Sequence, residues 1–447
     1  MIIKNRIQLA TTELRKNALD IIEAGIEHVL PSNLMRRALH YDITSRVLNI
    51  NHTTYNLARG RIFIIGGGKA SAKMAKELED IIPATHITAG IVNCKGNDYE
   101  TKNIKLITAS HPIPDHRGII GVKEMLALKQ KYAIGRDDTI ICLISGGGSA
   151  LMPYPATGIS LKDKQKITSI MLASGASIAE VNIVRKHLSS TKGGQLGSHF
   201  APSSVITLII SDVIGNDLSV IASGPTYPDK STFSDALNVL KKYELLSKTP
   251  KNVLTHLEKG CYGIVSETAK HLDNCYNHII GDNKVALEAM LIKAREIGFT
   301  PLLVTAEQQG DTTNAAVERA NEVLQKKYVG YDALILGGET TPRLPNSVGM
   351  GGRNQHYAAE SIIAMNRYPG QWVVASINTD GSDFLPDVAG AIVDKNSQTK
   401  ARTSKSDFDA YIARYDSNAL LSKIGDSLVK TGNTNTNVGD LILYLLK

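Results

Sequence analysis

Arg61-Ile-Phe-Ile-Ile-Gly-Gly-Gly-Lys-Ala-Ser-Ala-Lys-Met-Ala-Lys76 and Thr139-Ile-Ile-Cys-Leu-Ile-Ser-Gly-Gly-Gly-Ser-Ala-Leu-Met152 follow one pattern. Each opens with a short apolar run, tightens through consecutive glycines and continues as a helical stretch. Both read as strand, tight loop and helix start. An uninterrupted apolar strand is buried on both faces, and such strands alternating with helices predict a mainly parallel sheet covered on both sides. The expected fold class is α/β.

Working outward, Val205 to Ile210 is a third strand that runs into Ser211-Asp-Val-Ile-Gly-Asn-Asp217. From about Phe233 to Gly263 the pattern turns helical and polar, and a loosely patterned stretch follows to Asn277. The domain boundary is placed there, giving domains 1–265 and 275–447. Alternation then resumes with a strand at Ile279, a helix over 284–297, a strand over 301–305, a helix over 312–327 and a strand over 333–336. A glycine-rich loop, a helix from about Gln355, the strand Trp372 to Asn378 and a last apolar segment, Leu441 to Leu446, complete the second set.

A chain of 447 residues exceeds what one core usually serves, so two domains with a binding cleft between them are expected. The formal charge of +7 is dispersed, with no basic block interleaved with aromatics, which argues against nucleic acid as a partner. Cys94, Cys142, Cys261 and Cys275 form no CxxC pair, consistent with a reducing, cytoplasmic setting. Charges interrupt Ile7 to Val29, so that stretch reads as an amphipathic helix and not as a signal or membrane segment.

The glycine loops suggest anion binding. Glycines admit close approach to a phosphate, a following helix presents free amides and a positive dipole end, and Lys69 adds a full charge. Gly67, Gly68, Ser145, Gly146, Gly147, Gly148, Ser149 and Asn216 are the candidate phosphate contacts. The bland alternative is a pair of tight turns with a solvated lysine. Neither loop is a Walker A motif, and Ala70 and Ser71 break the dinucleotide fingerprint. Asp212 and Asp217 lie beyond a strand, and Asp380 and Asp383 lie in Thr379-Asp-Gly-Ser-Asp383. These carboxylates could hold a divalent metal or take a proton, although Asx turns explain them as well. Arg353, where a glycine loop becomes a helix, could grip phosphate or carboxylate in bidentate fashion, or be a surface ion-pair residue. Arg185 and Lys186 either face a ligand or decorate a helix. His111 and Asp115 read as loop-forming.

These motifs resemble the class II glycerate kinases, or MOFRL family. The match runs through Gly66 to Ser71, Ser110 to Asp115, Ser145 to Leu151, Asn182 to Gly194, Ile210 to Thr226, Gly281 to Asn283, Gly337 to Thr340, Gly351 to Gln355, Thr379 to Asp383 and Thr431 to Asp440. The resemblance implies a Rossmann-like N-terminal domain, a second α/β domain and an active site in the cleft between them. It further implies transfer of the γ-phosphoryl of ATP to D-glycerate, giving 2-phosphoglycerate, with Mg²⁺ or another divalent metal. Lys69 and Arg353 fall on the family's important lysine and arginine, and Ser71, Arg185 and Asn354 are the expected substrate contacts. The implied partners are small molecules, with no nucleic acid or membrane, and a homodimer is compatible with the resemblance.

Phe384, His356 and Asn433 depart from the family pattern of glycine, an acidic residue and proline, which puts substrate preference in question. Two other readings stand beside the kinase. A hydroxypyruvate reductase would need a nicotinamide site, which the broken fingerprint disfavours. A non-catalytic ligand-binding relative could use the same fold.

Overall fold

The structure is a computed structural model and describes residues 1–96, 98–403 and 408–447. The chain divides into two compact units, Leu34–Ile280 and the combination of Met1–Asn33 with Gly281–Lys447.

In the first unit, β1 (Leu39–Asp42), β2 (Val47–Ile50) and β3 (Thr53–Asn56) form a small antiparallel meander. The main sheet comprises β4 (Ile62–Gly68), β5 (Ile87–Cys94), β6 (Ile104–Thr108), β7 (Thr139–Ser145), β8 (Ser204–Ile210) and β9 (Cys275–Gly281). Their spatial order is β6-β5-β4-β7-β8-β9, and the pairs from β6 through β8 are parallel. The chain thus builds β5 and β6 on one side of β4, then crosses to place β7 on the other. That reversal is the switch point at which open α/β sheets leave a crevice beyond the strands' carboxyl ends.

β4 and β7 are buried at every residue, as their unbroken apolar runs require. Phe63, Ile65, Ile140, Cys142, Val205 and Ile209 pack against Val122 and Met125 of the helix His116–Lys131. The helices Leu161–Ala173, Ile178–His187, Phe233–Lys242 and Lys251–Cys261 gather around a second core containing Met171, Val184, Leu240 and Leu257. Capping boxes at Ser160/Asp163, Ser177/Glu180 and Thr232/Asp235 start three of these helices. The segment that reads as a boundary in the sequence is therefore part of a helical layer within this unit, because its apolar faces are buried against the preceding helices. The division falls at Ile280/Gly281.

The second unit is a mixed sheet of β10 (Pro301–Gln308), β11 (Ala333–Gly338), β12 (Trp372–Asn378), β13 (Gly390–Asp394), β14 (Leu428–Val429) and β15 (Asp440–Leu446), ordered β10-β11-β15-β12-β13-β14. β10 and β11 are parallel, whereas β15 inserts antiparallel between β11 and β12. This unit also includes the chain's first 33 residues, which the sequence reading places in the first domain. The helix Glu13–His28 packs on the helix Asn283–Glu296 and on β15, burying Leu19, Ile22 and Ile26. The expected helix over 7–29 is broken: Arg6–Leu9 ends early, and Thr12 restarts the chain by accepting a bond from the Arg15 amide.

Arg15 fixes this N-terminal segment. It is fully buried, and its Nε donates to Asp394 Oδ2 at 2.7 Å while Nη2 donates to Ser397 Oγ at 2.9 Å. Removing one member of a buried pair strands the other charge. Arg15→Ala is therefore expected to cost about 3–5 kcal/mol, measured as a lowered denaturation midpoint.

Candidate functional site

The register of β4 on β7 sets Gly66 beside Leu143 and Gly67 beside Ile144, so the two glycine loops leave the sheet side by side. They are stapled together. The Lys69 amide donates to Gly146 O at 2.8 Å, and the Ala70 amide donates to Ser145 Oγ at 3.0 Å. Ser71 Oγ donates to Leu143 O at 3.1 Å and, like Ser145, is fully buried. Ser71 and Ser145 hold the cradle's shape, so Ser71, expected at the substrate, is a fixing residue here.

Glycine is required at the next two positions. A Cβ on Gly146 would fall 1.9 Å from Asp212 Oδ2, so the carboxylate lies directly against the loop. Gly147 has φ +80, and a Cβ there would meet the His111 ring at 2.9 Å and Lys69 Cγ at 3.1 Å. The cradle therefore gathers Lys69, His111 and Asp212. In sequence His111 reads only as a loop former; its place beside Gly147 depends on how the 110–115 loop folds back. Asp115 from the same loop caps the helix His116–Lys131 by accepting from the Gly118 amide at 3.2 Å.

Ser149 and Ser223 are joined by a 2.7 Å hydrogen bond, and Ser223 Oγ donates to Asn182 Oδ1 at 3.0 Å. Ser223 has only one proton to give, so Ser149 is the donor to it. The Ser149 carbonyl accepts from Lys192 Nζ at 2.9 Å. Asn216 sits in the left-handed region, φ +57, in the turn after Asp212.

Beside Ser149 opens a cavity of about 650 Å³, lined in part by Lys164, Arg185 and Lys192. Lys186, the neighbour of Arg185, points elsewhere and forms a buried ion pair with Asp229 at 3.3 Å. Lys164 Nζ donates to Pro153 O at 3.1 Å. Burial, with Arg185's charge adding to it, pushes the Lys164 ammonium down to about 7. Lys192 is likewise held well below its ordinary value by burial, then by Arg185 and Lys164. Sequence spacing gives no sign that Lys164 and Lys192 share a cavity with Arg185.

In the second unit the helix Arg353–Ala364 begins at Gly352, which has no side-chain cap of its own. Asp383 caps it from a distant loop, its carboxylate accepting from the Asn354 amide at 3.1 Å and the Gln355 amide at 2.8 Å. A Cβ on Gly352 would fall 2.2 Å from Asp383, which explains the glycine. Arg353 forms a bidentate pair with Asp440, Nε to Oδ2 at 2.6 Å and Nη2 to Oδ1 at 3.0 Å, and its Nη1 reaches Glu339 at 2.8 Å. Burial works against its charge, but Asp440 and Glu339 outweigh it and raise its pKa. Asn354 is buried and bonded to Asp440, Asp383 and Ser376, so it organises the network instead of facing solvent as a substrate contact would.

The remaining carboxylates are engaged locally. Asp217 is exposed and accepts from the Ser219 amide at 2.8 Å, and Asp380 accepts from the Ser382 amide at 2.9 Å. Among the described residues no group of three or more His, Cys, Asp or Glu could hold a metal ion. Asp212 is the carboxylate at the glycine cradle, a donor that fits an ion whose other ligands are phosphates and water.

His356 is buried, stacked on Tyr415 at 3.7 Å and bonded to Thr313 and Ser417, and so belongs to the packing of its helix. Phe384 holds φ +65 and is 75% exposed, a backbone conformation that glycine adopts more readily. Asn433 is exposed and donates to Asn435. Among the described residues no helix is long and apolar enough to cross a membrane.

Fold and site together define an α/β protein with paired glycine loops at its switch point and a separate buried arginine–carboxylate network. Residues 17–258 match the family model described as a domain of unknown function (DUF4147), and residues 332–440 match the MOFRL family. A D-glycerate 2-kinase from Thermotoga maritima is 36% identical, covering 97% of this chain and 98% of the relative. A putative hydroxypyruvate reductase from Agrobacterium vitis is 35% identical, covering 87% of this chain and 100% of the relative. The crystal structure of glycerate kinase from Thermotoga maritima superposes with a TM-score of 0.83 at 34% identity, covering 97% of this chain and 99% of that one. The chain belongs to the class II glycerate kinase, or MOFRL, family.

Burial, with Asp440 adding to it, lifts the Asp383 carboxyl from 3.8 to about 6 despite the amide bonds it accepts. A raised folded-state value means the folded protein holds more protons than the unfolded chain between about pH 4 and 6. This group's contribution is complete below that window and is lost as pH rises through it. Asp383→Asn should flatten that slope in a pH series of thermal melts. Asp383→Ala, which strands the capped amides, should cost about 1–3 kcal/mol at neutral pH.

Proposed function

We propose that this protein transfers the γ-phosphoryl of ATP to the 2-hydroxyl of D-glycerate by direct in-line displacement. The observation that carries the reading is the stapled pair of glycine loops with Lys69 beside Gly147, in a chain of the glycerate kinase family. The glycerate oxygen attacks phosphorus, and the bond from phosphorus to the bridging oxygen breaks with its electron pair leaving on ADP. The hydroxyl proton passes to a carboxylate or to water.

Such transfer runs through a loose transition state, so the protein's part is to position reactants and to meet charge on the transferred oxygens. Lys69 and the cradle amides supply positive potential at the nucleotide phosphates. Arg353 is the second cation assigned to the reacting charge: its pairs with Asp440 and Glu339 fix the guanidinium and leave one N–H on each terminal nitrogen for a ligand. Asp212 is the carboxylate assigned to a divalent ion travelling with the nucleotide, or to the hydroxyl proton, with Asp380 the weaker candidate. That ion would neutralise phosphate charge. The broken dinucleotide fingerprint, in which Ser71 already begins the helix, counts against hydroxypyruvate reduction.

Lys69→Ala and Arg353→Ala should each lower turnover with ATP and D-glycerate by ~10²-fold or more, with phosphorus NMR identifying 2-phosphoglycerate as the wild-type product. Wild-type rates in both variants would remove the two cations from the mechanism. Asp212→Ala should shift the metal dependence of the rate; an unchanged metal titration would take Asp212 out of that role.

A further inference from the structure

The cavity beside Ser149 concentrates positive charge. Lys164 is 7% and Lys192 is 2% exposed, Arg185 joins them in the wall, and among the described residues no aspartate or glutamate lines it. Arg185 has no hydrogen bond or ion pair among the described residues, and each lysine's bond goes to a neutral backbone carbonyl. Folding normally pairs buried charges or excludes them. Three basic groups kept together, with the lysines' charged forms disfavoured by burial and by Arg185, suit an anion, whose charge would restore their protonation.

The wall is otherwise apolar in large part, with Pro112, Leu161 and Leu172 among its residues. Its volume of about 650 Å³ lies within the roughly 300–1,000 Å³ of small-molecule sites and far exceeds a three-carbon acid. A monocarboxylate would answer one cation of three, whereas a triphosphate answers all of them. The cavity adjoins the cradle. Ser149 belongs to both, and the loop that sends His111 against Gly147 and Lys69 contributes Pro112 to the cavity wall.

We propose that Lys164, Arg185 and Lys192 form the nucleoside triphosphate subsite, holding the polyphosphate chain where the cavity meets the glycine cradle, with the base against the apolar wall. This moves Arg185 from the acid to the nucleotide, and it rests on the kinase reading for the identity of the anion.

The test uses the full chain with Lys164→Met and Arg185→Met, and inorganic tripolyphosphate, ATP and D-glycerate as probes. Losing one charge-assisted bond of about 1.5–3 kcal/mol should raise Kd and KM for ATP about 10- to 100-fold, with KM for D-glycerate within about 2-fold of wild type. Tripolyphosphate should raise the melting temperature of the wild type and raise it less in either variant. Without ligand, Lys164→Met should melt no lower than wild type, since it relieves like-charge crowding; a purely structural lysine would give the opposite. Unchanged ATP affinity in both variants, or a rise confined to KM for D-glycerate, overturns the proposal. Should the trio prove necessary for ATP binding in a protein that does not phosphorylate D-glycerate, the subsite stands and the kinase reading falls.

Discussion

The pairing of β4 with β7 is the constraint on which the glycine-loop unit of this protein depends. Because these strands are neighbours in space but separated in sequence by β5 and β6, their loops emerge together at the reversal of strand order. The bond from the Lys69 amide to Gly146 O and the serine bonds beneath it then make one surface out of two loops. The glycines follow from this geometry. A side chain at 146 would collide with Asp212, and one at 147 with His111 and Lys69. Cradle, lysine, histidine and carboxylate are consequences of one register.

The two units manage charge in opposite ways. Around Arg353 the chain surrounds a single cation with Asp440, Glu339 and Asp383, so the arginine is rigid and its charge largely answered from within. In the other unit Lys164, Arg185 and Lys192 share one cavity with no acid in its wall among the described residues. A neutralised arginine is suited to orienting a ligand group, and a charge-rich cavity is suited to drawing in an anion. Fixed positive groups, set before a ligand arrives, need little reorganisation when charge develops.

Much of this is legible in the residues. The triple-glycine loops after apolar strands locate the cradle, and the Gly-Gly-Arg-Asn-Gln motif locates a helix start with an arginine on it. Most elements of the second half lie close to where periodicity puts them, with β12 the same at both ends. Roles set by partners far along the chain are not legible. Asp383 reads as a turn or metal ligand, yet it caps a helix that begins about 30 residues earlier. Asn354 and Ser71 read as substrate contacts, yet their hydrogen bonds are made inside the protein. Residues 1–33 read as the beginning of the first domain, but the apolar face of Glu13–His28 is buried against Asn283–Glu296 and β15.

Residue order alone set the local chemistry: buried strands from unbroken apolar runs, tight anion-compatible loops from glycines, and the identity of the charged groups beside them. These are properties of neighbours along the chain, where steric and hydrogen-bonding preferences act over a few residues. Which charges are answered and which are left for a ligand was settled by packing. Whether a lysine is solvated, paired or confined with other cations depends on desolvation and on groups that meet only when distant segments come together. Lys186 and Arg185, adjacent in sequence, differ for that reason: one closes on Asp229, and the other faces the cavity.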